Sequence, residues 1–435
     1  LGLPLQHVQI FSLIFWFALI VFSAYVLARI IFAKNFLIQL LFVVLYAFNI
    51  YIFNTWENVK VANLALISAI PLGVSILILL VEKKLLPARA VFFSSLVGVI
   101  LSGSGINPSY FITFILIMAI LALSYISIDF KLKSLKQVSL SLLLTLLPII
   151  LVNLFWILPT TAFVTRNIDP SGSIDKIGFN NWVNSLSENT SLLNVMRLQG
   201  AWDWYAFDGV TGLPLYIPYA LNYFYRLPFI VFSFLLPIFV IISLWAKSKG
   251  KDYLYIAFSI MFVLGVFLGA GTHLPTGDLF RWLSMHLPFF TIFRSPWYIF
   301  TPLVTLSSAA LICLFFHNLQ NMPGGKLRVI RYLAHIVVLA LVIGNLVYSY
   351  PLVTGKIFRP TRADSFFLEF PPYIFETQKW LASQVGVRIV GYPDDEIEKF
   401  TWGYRGIESI LGLLSNNQVI FSPLNTPDSN VALLI

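Results

Sequence analysis

Apolar runs of roughly 18 or more residues, the length needed to cross a hydrocarbon core, recur along most of this chain. They lie near 10–31, 36–53, 62–81, 90–106, 110–128, 138–159, 228–246, 253–270, 297–316 and 333–350. The fourth is short and becomes rich in Gly and Ser towards its end. In lipid such runs must be helical, because no water is present to satisfy the backbone. The pattern therefore predicts an all-α polytopic membrane bundle of about ten transmembrane helices, occupying residues 1–350.

The basic residues between the runs alternate in density from loop to loop. One set of loops holds Arg29 and Lys34; Lys83, Lys84 and Arg89; Lys131, Lys133 and Lys136; Lys247, Lys249 and Lys251; and Lys326, Arg328 and Arg331. The short loops of the other set hold only Lys60, Arg281 and Arg294. Fourteen basic residues against three, in strict alternation, place the first set in the cytoplasm. The segment 160–227 and the tail after residue 350 are then extracytoplasmic, as is Leu1. The start at Leu1 has no basic region or cleavage pattern of a signal peptide. A fragment is expected, lacking an odd number of helices before Leu1 if the full protein begins in the cytoplasm; Val431–Ile435 is not an obvious natural ending either.

Composition agrees with the pattern. The 435 residues are 58% hydrophobic and 11% charged, against roughly 25% charged for soluble chains, with a mean hydropathy of +0.85. The net charge of +9 resides in the interhelical clusters, so it is a topology signal and no nucleic-acid partner is expected. A single cysteine, Cys313, excludes an internal disulfide and a cysteine-rich metal site.

Two segments depart from a simple bundle. The outer segment 160–227 carries Trp182, Trp202, Trp204, Tyr205, Tyr216, Tyr219, Tyr223 and Tyr225. That aromatic density suits a headgroup region, where an apolar ring and a polar tip are both accommodated. Leu213–Leu221 reads as an interfacial or re-entrant piece, and a structural cap on the bundle is the alternative. The tail, 351–435, predicts a helix over Ile374–Val385 and then a strand in Val387-Arg-Ile-Val-Gly-Tyr-Pro, the opening of a small, incomplete α/β domain.

No Asp, Glu, Lys or Arg occupies the middle of a span; the polar residues there are neutral, such as Gln39, Asn49 and Asn153. This argues against an ion-coupled carrier, which keeps costly ionisable groups at mid-membrane. The charges of interest collect outside: Glu57; Arg197, Asp203 and Asp208; and His273, Asp278, Arg281, His286 and Arg294. Carboxylates for acid–base or metal work and arginines for phosphate are what sugar transfer from a phosphorylated donor needs. Each has a plainer alternative: a solvated turn for Glu57, a helix cap or break for Asp203 and Asp208, ordinary loop histidines for His273 and His286, an ordinary interfacial lysine for Lys60. Arg294, in Pro288-Phe-Phe-Thr-Ile-Phe-Arg-Ser-Pro-Trp-Tyr-Ile-Phe, needs an anionic partner in its apolar setting: a lipid headgroup, a lipid-linked phosphate or a buried carboxylate. Asn189-Thr-Ser is an outer glycosylation sequon of low specificity.

Leu287-Pro-Phe-Phe-Thr-Ile-Phe-Arg-Ser-Pro-Trp-Tyr, followed by an apolar span, resembles a late outer loop of GT-C type membrane glycosyltransferases. The likeness is to YfhO-like proteins and α-(1→3)-arabinofuranosyltransferases. Leu1-Gly-Leu-Pro-Leu-Gln-His, Thr190-Ser-Leu-Leu-Asn-Val-Met-Arg-Leu-Gln-Gly-Ala-Trp-Asp-Trp and the tail with Trp402-Gly-Tyr are similar to the arabinofuranosyltransferase side. The resemblance implies transfer of a sugar, arabinofuranose on that likeness, from a polyprenyl-phosphate donor to a cell-surface glycan at the outer face of the plasma membrane. The family's catalytic carboxylate lies in its first outer loop, which this chain lacks. Glu57 and Asp203 are then secondary acidic groups, able to help hold a divalent metal; no other cofactor is expected. Arg294, with Arg281, is expected to hold the donor phosphate. Trp202, Trp204 and Arg197 are the expected acceptor-side and interface residues. A glycan or lipid transporter and a non-catalytic envelope scaffold are the competing readings.

Overall fold

The computed structural model describes residues 5–57, 59–128, 132–167, 176–207, 214, 216–217, 219–245, 252–287, 289–321, 328–355, 357, 370–384, 388–390, 398–400, 402, 405–406 and 418–420. The chain divides into two compact units, Leu1–Ile357 and Phe358–Ile435.

The first unit is helical. In order it comprises α1 (Leu5–Ile31), α2 (Phe36–Ala47), α3 (Ile50–Glu57), α4 (Val61–Val81), α5 (Pro87–Leu101), α6 (Pro108–Ile128), α7 (Leu132–Asn167), α8 (Lys176–Ser187), α9 (Leu192–Met196), α10 (Ala220–Tyr225), α11 (Leu227–Trp245), α12 (Asp252–Gly269), α13 (Gly277–His286), α14 (Pro296–Gln320), α15 (Arg328–Tyr348) and α16 (Tyr350–Val353). Among the described residues nine helices are long and apolar enough to cross a membrane, and α2 with α3 makes a tenth span bent by 48°. Each of the ten apolar runs falls on one of them. The protein is a multi-pass membrane helical bundle.

Two helices organise the bundle. α4 packs against α1, α5, α6 and α7, while α14 packs against α2, α11, α12 and α15; α6 against α12 and α1 against α2 join the two groups. Nearly every residue of α4 and α14 is buried. Without a hydrophobic force between helices in lipid, close approach depends on small residues. Gly265 of α12 lies against Leu303 and Val304 of α14, and Gly98 of α5 against Ile149 of α7; a Cβ at either would meet the neighbour at 2.9 and 3.1 Å. The outer helices turn Leu, Val and Phe outward, for example Leu143, Leu147, Leu151 and Phe155 on α7 and Leu339 and Ile343 on α15. Such a surface suits hydrocarbon and not water.

Basic loops gather at one end of the bundle. There Asn35 donates to Gln320 Oε1 at 2.7 Å, Phe32 meets the His317 ring, and Tyr253 donates to Glu82 Oε1 at 2.9 Å. Lys131, Lys247, Lys249, Lys251 and Lys326 lie outside the described residues. Aromatic residues and the helices α8–α10, α13 and α16 gather at the opposite end.

The second span is not the continuous helix that its apolar run predicts. It breaks between Ala47 and Ile50. Asn49 makes the break tolerable. Its amide donates to the Leu45 and Tyr46 carbonyls, and its Oδ1 accepts from the Ile52 amide, opening α3. The Phe48 carbonyl freed by the break accepts from Asn345 Nδ2 at 2.6 Å and Ser349 Oγ at 2.9 Å. Buried backbone must find partners within the protein when water is absent, and α15 and Ser349, the residue that follows it, supply them.

In the second unit the described residues form α17 (Pro372–Ser383) and four short strands, β1 (Arg388–Val390), β2 (Glu398–Lys399), β3 (Arg405–Gly406) and β4 (Gln418–Ile420). β1 runs parallel to β4, and β2 antiparallel to β3, as two separate two-stranded ladders. The expected helix starts at Pro372 and ends two residues before Val385; the expected strand is β1, and its Gly-Tyr-Pro end lies outside the described residues.

Candidate functional site

The aromatic segment before α11 folds back onto the bundle. Thr190 donates to the Ala270 carbonyl at the end of α12, and the Thr272 amide donates to Ser187 Oγ. α9 packs on α12, α14 and α11, and α8 on α13 and α14. At Gly200 the chain runs so close to the Trp297 indole that a Cβ would lie 2.6 Å from it. These contacts deliver the next short helical turn, Trp202–Trp204, into the protein interior.

Asp203 is 1% exposed. Its Oδ2 accepts from the Tyr298 hydroxyl at 2.8 Å, and that hydroxyl accepts from Asn54 Nδ2 at 2.9 Å. Asn54 Oδ1 in turn accepts from Trp204 Nε1 at 3.2 Å. Tyr51 donates to the Tyr298 carbonyl, and Asn63 to the Tyr51 hydroxyl. The Lys60 ammonium lies 3.8 Å from the centre of the Tyr298 ring, a cation–π contact. Asp203 Oδ1 is buried without a hydrogen-bond partner. A chain of side chains from α3, α4, α14 and the outer segment thus converges on one carboxyl group.

Burial raises the Asp203 pKa above the ordinary carboxylate value, while Lys60, Tyr298 and Asn54 pull it partly back. Burial wins because a desolvated carboxylate loses more than these neutral donors and one screened cation return. The folded chain therefore binds this proton more tightly than the unfolded chain does. The associated stability is complete below the unfolded carboxylate pKa, about 4, and declines as the pH rises through the higher folded value. Asp203→Asn removes the titration. The unfolding temperature of the wild type, relative to this variant, is expected to fall with rising pH across that window; a constant difference shows that Asp203 titrates alike in both states.

The arginines separate into three situations. Arg281 donates to Asp278 Oδ1 at 2.7 Å, the Thr272 carbonyl at 3.1 Å and Asn184 Oδ1 at 3.4 Å. It is thus engaged in joining α13 to the end of α12. Arg294 is exposed between the Phe290–Phe293 turn and α14, with no ion pair among the described residues. Of the two expected phosphate ligands, it alone keeps its charge available. Arg197 is half-buried, donating to Ser233 Oγ at 2.9 Å and Asn194 Oδ1 at 3.3 Å above the Phe234 ring. Burial lowers its pKa, and it in turn pulls back Tyr205, which burial pushes up to about 12.

Trp202 is partly exposed and meets Tyr216 edge-on at 5.2 Å. Trp204 is wholly buried and packs on Tyr219, Tyr223 and Phe224. It holds the site from within and offers no surface to an acceptor. Glu57 ends α3, directly before the turn that carries Lys60; its side chain, Asn58 and Asp208 lie outside the described residues. His286 stacks on Trp282, and His273 faces the Leu274 carbonyl.

Among the described residues no three His, Cys, Asp or Glu side chains gather to hold a metal ion. Among the described residues Asp203 is the one carboxylate at this site, with an ammonium nearby. Asn54, Lys60 and Tyr298 were not foreseen as members of the site. Tyr298 stands four residues after Arg294 in the same motif, and Asn54 and Lys60 flank Glu57, so position in those two motifs was the available signal. Comparison with protein-family models, with curated proteins and with solved structures finds no match.

Proposed function

We propose that this protein is a GT-C type membrane glycosyltransferase that moves a sugar from a polyprenyl-phosphate donor to a cell-envelope glycan at the outer face of the plasma membrane. Arabinofuranose is the sugar suggested by the resemblance. The observation that carries the reading is the buried Asp203, its pKa raised by desolvation, held by Tyr298 one helical turn beyond the exposed Arg294. An acid–base group and a cation for phosphate thereby share one end of the bundle.

In this reading the aromatic end faces outward, as the distribution of Lys and Arg suggests, and residues 351–435 begin an α/β domain on the same side. Once the turn bearing Lys60 moves aside, Asp203 Oδ1, buried without a hydrogen-bond partner, takes the proton of the acceptor hydroxyl. That oxygen bonds the sugar's anomeric carbon as the polyprenyl phosphate leaves with the electrons of the broken C–O bond. Tyr298 and Asn54 orient the carboxyl. Glu57 is the second acidic group, Arg294 pairs with the donor phosphate, Arg281 fixes α13, and Trp202 with Tyr216 offers an aromatic face to a sugar ring.

The test is sugar transfer in proteoliposomes supplied with a polyprenyl-phosphate-linked sugar and an envelope glycan acceptor. Arg294→Ala is expected to lower transfer by about 10- to 100-fold, the worth of a hydrogen bond to a charged group, with unchanged insertion and unfolding temperature. Transfer at the wild-type rate removes Arg294 from the site. Movement of the lipid-linked substrate between leaflets without glycosidic transfer by the wild type favours a transporter.

A further inference from the structure

At the aromatic end of the bundle, α13 packs one face on the protein and leaves the other uncovered. Gly277, Phe280 and Ser284 are buried. Ser284 donates to Asn180 Oδ1 of α8 at 3.2 Å, and Phe280 meets Phe290 edge-on at 5.1 Å. On the opposite face Leu279, Trp282 and Met285 recur at helical spacing, each about half exposed. Phe289 beyond the helix and Trp182 on the neighbouring α8 are exposed too. From Leu274 to Phe289 the only Asp, Glu, Lys or Arg residues are Asp278 and Arg281, which pair at 2.7 Å. The face is broad and apolar, and it carries no uncompensated charge.

The level at which α13 is held decides what meets that face. Residues 270–276 join it to the end of α12, and residues 287–295 join it to the start of α14. Both neighbours are long and apolar enough to cross the membrane. Gly277 lies against the Thr272 carbonyl with no room for a Cβ, and Arg281 donates to that same carbonyl at 3.1 Å. The Phe290–Phe293 turn packs on α6, a third span. α13 is therefore tied down where the spans end. Its ten residues reach about 15 Å, too short to cross a hydrocarbon core of about 30 Å.

We infer that α13 lies in the plane of the membrane, with Leu279, Trp282 and Met285 sunk into the boundary between lipid headgroups and acyl chains. The partner is the bilayer itself. α12, which exposes Ile260 and Val263 to hydrocarbon, leads into the helix. Trp282, with His286 stacked on it at 4.7 Å, joins an apolar body to polar tips, the combination that settles at this boundary. A strip of such side chains left in water would invite association, whereas lipid covers it at the height where the helix is already anchored. The inference is independent of sugar transfer.

Cys313 is the sole cysteine and is buried, so labels can be placed singly on a Cys313→Ser background. Nitroxide labels at Leu279→Cys, at Trp282→Cys and, for reference, at Glu188→Cys are read by electron paramagnetic resonance of the full chain in phosphatidylcholine–phosphatidylglycerol vesicles. All three residues are exposed, so the substitutions spare the core. Collisions with oxygen, which concentrates in lipid, are compared with collisions with a water-soluble nickel chelate. The labels at 279 and 282 are expected to favour oxygen and to report a depth of about 5–10 Å, while the label at 188 favours the chelate. Chelate collisions at 279 or 282 as frequent as those at 188 put the face in water and overturn the inference. Shielding of both labels from both reagents puts the face against protein, either another part of this chain or a second copy, and overturns it equally.

Discussion

Asp203→Asn is expected to lower sugar transfer by about 10²- to 10⁴-fold, the range of a lost general acid or base, while leaving the protein inserted and folded. Asn has nearly the shape of Asp, and its carbonyl oxygen can still accept from Tyr298. What disappears is the proton that Oδ1 can give or take. The substitution also removes a buried ionisable group, so stability at neutral pH should hold or rise. Rates are to be measured in proteoliposomes beside the unfolding temperature of each preparation. A loss below tenfold assigns Asp203 a structural role, namely anchoring the outer segment to α14 through Tyr298. Asp203→Ala is less informative, because it strands the Tyr298 hydroxyl in the interior.

The largest stability effect is expected at Trp204. Its side chain is fully buried, with Tyr223 at 5.2 Å and Tyr219 at 5.9 Å. Trp204→Ala is expected to cost about 3–5 kcal/mol. The loss combines the ring's contacts with an unpaired Asn54 Oδ1 at the heart of the site. Trp204→Phe retains much of the packing and should cost less, about 1–2 kcal/mol, chiefly the hydrogen bond. Trp202→Ala, only two residues away, should fall within about 0.5 kcal/mol of the wild type. Denaturation in detergent checks the three together; equal costs at 202 and 204 would falsify the assignment of one ring to the surface and the other to the core.

Comparison of the two tryptophans also shows where sequence reading reached its limit. The spans were legible because the bilayer demands long apolar runs, and each run lies on a helix or on the bent pair α2–α3. The break at Asn49 was less visible, since one Asn in an apolar run reads equally as a tolerated polar residue. Aromatic density marked the segment 160–227 as unusual, yet density alone does not distinguish a headgroup belt from an interior cluster. Asp203 and Arg294 could be singled out as charges in apolar surroundings. Tyr298 and Asn54 could not be joined to Asp203, because they lie 95 and 149 residues from it in the chain. Arg281 looked as available as Arg294 until Asp278, three residues before it, was seen to occupy its charge.

The broken span has a consequence for the order of assembly. α3 emerges early in synthesis, but its stabilising partners come late: Tyr51 bonds the Tyr298 carbonyl 247 residues on, and Phe48 is bonded by Asn345 and Ser349, 297 and 301 residues on. An eight-residue helix is too short to stand alone in solution, and in lipid its freed carbonyls have no solvent to turn to. Until α14 and α15 are inserted, α3 must rest against temporary partners, whether lipid headgroups, its own turn or an insertion factor. The end of the bundle that carries Asp203 is therefore finished late: a chain released before residue 298 would lack the hydroxyl that holds Asp203, and one released before residue 345 would leave the Phe48 carbonyl without its α15 donor.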